Sequence, residues 1–347
     1  MAPPLAAAYS GPPKLTFSTA FTQWRADIPM LVLILLLAAW YLASAAKVRK
    51  AGGQWGAGRT FAFIVVGLGC WAIATMAWPG AYESVLFYAR ATQTVLLVIL
   101  VPLFLAIGKP LTLLTAAYPG VGRPVEKAVR SRVAKVVLFP AITTLLVVAV
   151  PMVMYFTSWY TAFFTSGTVR ELSYLALVAL GYLFFWPLLR VDPVPREYPH
   201  GIMLWIAIGE VIGDAIFGLS IVADQTVLAA AHYHAVGYPY GPSLATAQVI
   251  GGGVIWILGD IVGLPFIAVQ LIQMMRADKQ EAAEIDAELD ARDAARAAKA
   301  SPAPGGDAVR GDAVQATASP VASGAADADE NDRPWWETDP RFTNRWS

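Results

Sequence analysis

Apolar residues run along this chain in seven long stretches, beginning near residues 28, 60, 85, 135, 171, 202 and 246 and ending near 46, 78, 106, 156, 189, 224 and 274. A helix needs roughly 20 apolar residues to cross the hydrocarbon core of a bilayer, and these stretches meet that length. The pattern predicts an all-α fold: a polytopic membrane protein built as a bundle of about seven transmembrane helices. Pro102, Pro140, Pro151, Pro187 and Pro265 stand within or at the ends of spans, where neighbouring helices can resatisfy the carbonyls a kink sets free. Gly209, Gly213 and Gly218 on the sixth span and Gly251, Gly252 and Gly253 on the seventh permit close backbone approach.

The loops between stretches alternate in charge. Lys47, Arg49, Lys50 and Arg59 fill the first, Lys109, Arg123, Lys127, Arg130, Arg132 and Lys135 the third, and Arg190 and Arg196 the fifth, whereas the intervening loops hold only Arg170. Twelve basic residues against one place the first group in the cytoplasm by the positive-inside bias, with the N-terminus outside and the C-terminus inside. Seven crossings satisfy that parity. Ala43, Ser44 and Ala45 after the first stretch imitate a signal-peptidase site, but the apolar run is longer than a secretory signal's and basic residues follow it, so an uncleaved helix is expected. With 57% hydrophobic and 14% charged residues, a positive mean hydropathy and zero formal charge, the chain is made for lipid, and no basic patch suggests nucleic acid. Cys70, the only cysteine, lies inside an apolar run as a packing residue and excludes an intramolecular disulfide.

The domain organisation follows: an extracytoplasmic segment 1–27, a seven-helix transmembrane domain 28–274, a charged cytoplasmic helical extension 275–299 and a disordered cytoplasmic tail 300–347. The extension is Ala, Glu, Asp, Lys and Arg with few apolar residues to bury. The tail is rich in Ala, Gly, Pro, Ser and Asp, a composition that cannot offset its ordering entropy. It ends on an aromatic stretch from Arg333 through Trp335, Trp336 and Phe342 to Trp346, suited to docking or to a membrane surface.

Ionisable groups inside spans are costly and therefore candidates for function. Arg90 lies near the outer end of the third span, Glu210 and Asp214 share a face of the sixth at i, i+4, and Asp260 is midway along the seventh. They are expected to meet in one interior, as an ion or proton site or as a polar network fixing helix register. His232 and His234 in the outer loop between spans six and seven form a pair that could face one metal on an extended strand, and Met152 and Met154 near an outer span end could add thioethers for Cu(I). Two imidazoles alone do not make a site, and Met is most often packing. No phosphate loop, serine triad or HExxH appears, so no enzyme chemistry has a visible carrier.

Several runs taken together resemble the CtaG family of cytochrome c oxidase assembly factors, seven-helix proteins associated with copper delivery. Phe184-Phe185-Trp186-Pro187 with Asp192-Pro193-Val194-Pro195 is similar to the fifth-span ending and cytoplasmic loop of actinobacterial members. Asp214-Ala215-Ile216-Phe217-Gly218 is similar to the family's His-Ala-Phe-Phe-Gly, and Gly251-Gly252-Gly253-Val254-Ile255-Trp256 with Gly259-Asp260 to its last-span glycine run. Pro102 through Pro110 fits the third-span ending. Where the resemblance places the family's histidines, this chain carries Arg90, Thr94, Tyr174 and Asp214, and near Thr246 an acidic residue is missing. The loss of imidazoles beside a gained arginine and carboxylate suggests an Arg90–Asp214 ion pair in place of a metal.

The resemblance implies a non-enzymatic assembly factor of the bacterial cytoplasmic membrane, with the bilayer and respiratory oxidase subunits or other membrane proteins as partners and no cofactor. Two other readings stand beside it: a copper-binding or copper-transport protein using His232, His234, Met152 and Met154, and a proton or small-solute pathway through Glu210, Asp214 and Asp260.

Overall fold

The computed structural model describes residues 9–190, 192–193 and 198–300; the aromatic end of the tail and the rest of 301–347 lie outside the described residues. Among the described residues every regular element is a helix. In chain order these are α1 (Phe17–Thr22), α2 (Ile28–Lys50), α3 (Ala57–Tyr82), α4 (Phe87–Ala117), α5 (Pro119–Val129), α6 (Arg132–Val137), α7 (Pro140–Phe156), α8 (Ser158–Thr165), α9 (Gly167–Leu189), α10 (His200–Ala223), α11 (Ala230–Val236) and α12 (Leu244–Ala300). The chain divides into two compact units, Met1–Asp286 and Ala287–Ser347. The described part of the second is helix, exposed through Arg296, with an Arg292–Glu288 pair at 2.9 Å.

Six helices are long and apolar enough to cross a membrane, α2, α3, α4, α9, α10 and α12, and the bent pair α7–α8 makes a seventh if it counts as one span. The protein is therefore a multi-pass membrane protein. The expected fourth span, 135–156, is shorter and broken. Phe139 precedes Pro140 and takes an extended conformation, as a residue before proline prefers, so residues up to Val137 belong to α6. At the other end Thr157 is extended (φ −122°, ψ 178°), its hydroxyl accepts from the Trp159 N–H, and the chain turns by 73° into α8.

Local chemistry explains the remaining ends. Asp27 caps α2 by accepting from the Met30 N–H at 3.2 Å. Lys109 is left-handed (φ 52°) and interrupts α4 before Pro110, so Pro110–Ala117 starts afresh as a short helix. Its first free N–H groups, on Leu111 and Thr112, donate to the Asp192 carboxylate at 3.2 and 2.9 Å. The two most distinctive proline-rich runs of the sequence thus meet: the loop after α9 caps the last turns of α4.

In the centre α4 packs on α3 and on α9, and α7 packs on α9 and α10. Pro102 has no N–H to offer the Val98 carbonyl, and Gly181 of α9 lies against that carbonyl so closely that a Cβ there would sit 2.0 Å from its oxygen. The outer surface is apolar. Trp205, Ile212 and Ile216 of α10 and Ile257, Ile261 and Leu264 of α12 are more than a third exposed, a lipid-facing pattern.

Candidate functional site

Two clusters of buried polar groups stand out. The first lies where α3 and α4 join, at the end of the bundle reached by α1. Arg90 on the first turn of α4 is only 2% exposed. One of its amino groups donates to Gln93 Oε1 at 2.6 Å, and its guanidinium carbon stands 3.9 Å from the Phe163 ring centre, a desolvated cation–π contact. Gln93 in turn donates to the Ala74 carbonyl of α3. One turn on, Thr94 donates to the Arg90 carbonyl at 3.0 Å and contacts the Tyr155 hydroxyl at 2.9 Å. Tyr155 stacks on Tyr160, whose hydroxyl is 2.8 Å from that of Tyr233 on α11, and Phe87 touches all three rings. Burial raises the pKa of the Tyr233 phenol, which therefore stays a neutral O–H.

Glu83, in the turn between α3 and α4, is the hub of the charges at this end and was hidden from the sequence by its place between two apolar stretches. It is buried, pairs with Arg25 at 2.6 Å and accepts a short hydrogen bond from Tyr174. Arg170 lies at 4.0 Å from it and at 3.3 Å from Glu171, and Arg25 also reaches Asp27 at 3.8 Å and the Tyr174 hydroxyl. Burial disfavours the Arg25 charge, but the Glu83 carboxylate more than offsets this and the arginine pKa is raised.

The second cluster is on the α10–α12 face. Glu210 and Asp214 are 6% and 9% exposed and stand one turn apart on α10. Asp214 Oδ2 lies against Gly259, where a Cβ would approach it to 2.6 Å. One Asp260 carboxylate oxygen is buried without a partner.

The ion pair expected of Arg90 and Asp214 is not formed: among the described residues no carboxylate oxygen lies within 4.0 Å of an Arg90 nitrogen. Asp214 finds carboxyl neighbours across α10 and α12, while Arg90 is held by Gln93 and Phe163. The histidine pair also differs from the expected strand. His232 and His234 are on helix α11, where residues two apart point away from each other. His232 stacks on Phe164 at 4.0 Å and its Nε2 is 2.9 Å from the Ser84 carbonyl, while His234 is exposed beside a cavity of about 220 Å³ shared with Phe87 and Tyr233. Met154 is buried and Met152 half-buried on α7, and Thr246 bonds Ser243 at the start of α12. Gln248, buried behind it, holds the α10–α11 loop through the carbonyls of Ile221, Asp224 and Thr226 and the Leu228 N–H, and nothing in the sequence set this glutamine apart.

The residues standing where the resemblance places metal ligands do not fit copper. Arg90 is a cation, Tyr174 is engaged with Glu83 and Arg25, Asp214 is a carboxylate packed against Gly259, and none supplies the imidazole, thiolate or thioether that copper prefers. Among the described residues no three His, Cys, Asp or Glu side chains group as a metal would require.

A family profile described as cytochrome c oxidase caa3 assembly factor matches residues 39–277. The chain is 28% identical to uncharacterised proteins of Mycobacterium bovis and Mycobacterium tuberculosis, over 292 residues that are 81% of this chain and 44% of theirs. An uncharacterised protein of Mycobacterium leprae is 26% identical over 280 residues, 78% of this chain and 42% of its own. The chain thus spans less than half the length of these curated relatives. No solved structure matches it.

Proposed function

The chain belongs to the cytochrome c oxidase caa3 assembly factor family, and from that premise we propose that it is a non-enzymatic factor of the bacterial cytoplasmic membrane. In this reading it assists biogenesis of a terminal oxidase through contacts with oxidase subunits and without carrying copper. The observation that carries the reading is the family match over residues 39–277, which takes in most of the helical bundle. Large lipid-facing apolar surfaces on α10 and α12 offer membrane partners a place to pack, since helix association in lipid proceeds by close packing and interhelical hydrogen bonds.

Deletion of the gene in its host tests this. Assembled oxidase, measured by haem difference spectra and native gels, is expected to fall in both copper-limited and copper-replete medium. Wild-type protein and the His232→Ala/His234→Ala double variant are both expected to restore it. Undiminished oxidase in the deletion strain would overturn the assembly role. Restoration by copper alone would replace contact-based assistance with copper handling.

A further inference from the structure

The Arg90 cluster holds more hydrogen-bond donors than acceptors. A guanidinium carries five N–H donors. That of Arg90 spends one on Gln93, its Nε is buried with no partner, and the Phe163 face answers its charge without accepting any N–H in the plane. The hydroxyls beside it are no better supplied. Thr94 uses its hydrogen on the Arg90 carbonyl, so Tyr155 must be the donor in their contact. Between Tyr160 and Tyr233 one hydroxyl donates to the other, and the second phenolic hydrogen has no acceptor among the described residues. Donors left over around a buried cation call for an acceptor that brings negative charge, because an unpaired charge inside a membrane protein is costly.

Among the described residues no carboxylate oxygen lies within 4.0 Å of an Arg90 nitrogen to supply it. Glu83, the buried hub of the charges at this end, is already bound by Arg25 and Tyr174. A run of ring contacts links these residues: Arg90 lies over Phe163, Phe163 touches Phe164, and Phe164 touches both Tyr160 and Tyr233. Phe87, one turn before Arg90 on α4, closes the same group and lines the 220 Å³ cavity with Tyr233.

We infer that Arg90 and the Tyr160–Tyr233 phenols form a binding site for a small monovalent anion of the halide type. One guanidinium matches one negative charge, which disfavours phosphate or sulfate. Surplus N–H and O–H groups select a ligand that only accepts. The site lies where the family resemblance places histidines and stands independently of the oxidase role proposed above.

The test uses the purified full-length protein in detergent, exchanged into gluconate buffer and titrated with radiolabelled chloride at constant ionic strength. Saturable binding of about one chloride per chain is expected, displaced by bromide and not by gluconate. Arg90→Met is expected to abolish it. Tyr160→Phe/Tyr233→Phe is expected to weaken it about tenfold, the scale of losing a hydrogen bond to a charged group. Absence of saturable binding to the wild-type protein overturns the inference without reference to any variant. Should Arg90→Met fail to fold, the double phenylalanine variant decides, and an unchanged affinity there overturns the assignment to these phenols.

Discussion

Glu83 shows how much one residue can organise in a membrane protein. Its carboxylate accepts from Tyr174, pairs with Arg25 and draws Arg170 to 4.0 Å, whereas Glu171 pairs with Arg170 alone and is more exposed. Removing the charge at buried Glu83 leaves the half-buried Arg25 without its main partner, and breaking a pair with a buried member costs up to about 3 kcal/mol. Glu83→Gln is therefore expected to lower the thermal midpoint in detergent clearly, and Glu171→Gln to change it little, since partly exposed pairs contribute about 1 kcal/mol or less. Equal midpoints for the two variants would remove Glu83 from its central place. The sequence marks Arg90, Glu210, Asp214 and Asp260 as unusual because charge inside an apolar run is conspicuous. It does not mark Glu83, which falls between the ends of two runs, and it cannot say which charges pair, because pairing depends on the rotation of each helix about its axis.

Neighbouring positions on one helix can differ as sharply. Gly251, Gly252 and Gly253 look alike in the sequence as a small-residue stretch, yet each meets something different. A Cβ on Gly252 would stand 2.7 Å from the Gly218 carbonyl oxygen, one on Gly251 would strike the Phe87 ring, and one on Gly253 would meet nothing within 4 Å. Gly218 and Gly252 thus mark the crossing of α10 and α12, where only backbone separates the helices. Gly252→Ala is expected to destabilise by about 1–3 kcal/mol through overpacking. Gly253→Ala should be neutral or stabilising by up to about 1 kcal/mol, because alanine is the better helix former. Melting curves of the two variants side by side check this, and a larger loss from Gly253→Ala would contradict the crossing. A cap is equally local: Asp192→Ala should cost about 1 kcal/mol by freeing the Leu111 and Thr112 N–H groups, and Asp192→Asn much less, since its amide oxygen still accepts. Span existence was legible because lipid imposes length and hydrophobicity on any crossing helix. The end of the fourth span near Phe156 was legible too, but the helix α8 bent away from it was not, because the turn into it depends on the Thr157 hydroxyl.

At the scale of the molecule, that break decides the topology. α7 has 17 residues, and at 1.5 Å per residue its length of about 26 Å is somewhat short of a hydrocarbon core of about 30 Å. If α7 crosses and α8 then lies at the far surface, the crossings number seven and the segments flanking α7 are on opposite sides. If the bent pair enters and returns, they number six, and the basic segment before α7 shares a side with Arg170. The distribution of Lys and Arg favours seven, because the segment from Arg123 to Lys135 is strongly basic while Arg170 stands alone in the turn after α8. Ala128 and Thr168 are exposed on either side of the bent pair and report the difference directly. In a Cys70→Ala background, a cysteine at Thr168 is expected to react with a membrane-impermeant maleimide in intact cells. A cysteine at Ala128 should react only after the membrane is opened. Labelling of both from the same side would establish six crossings, put both chain ends on one face and reverse the expected placement of either the Arg90 cluster or the charged end of α12.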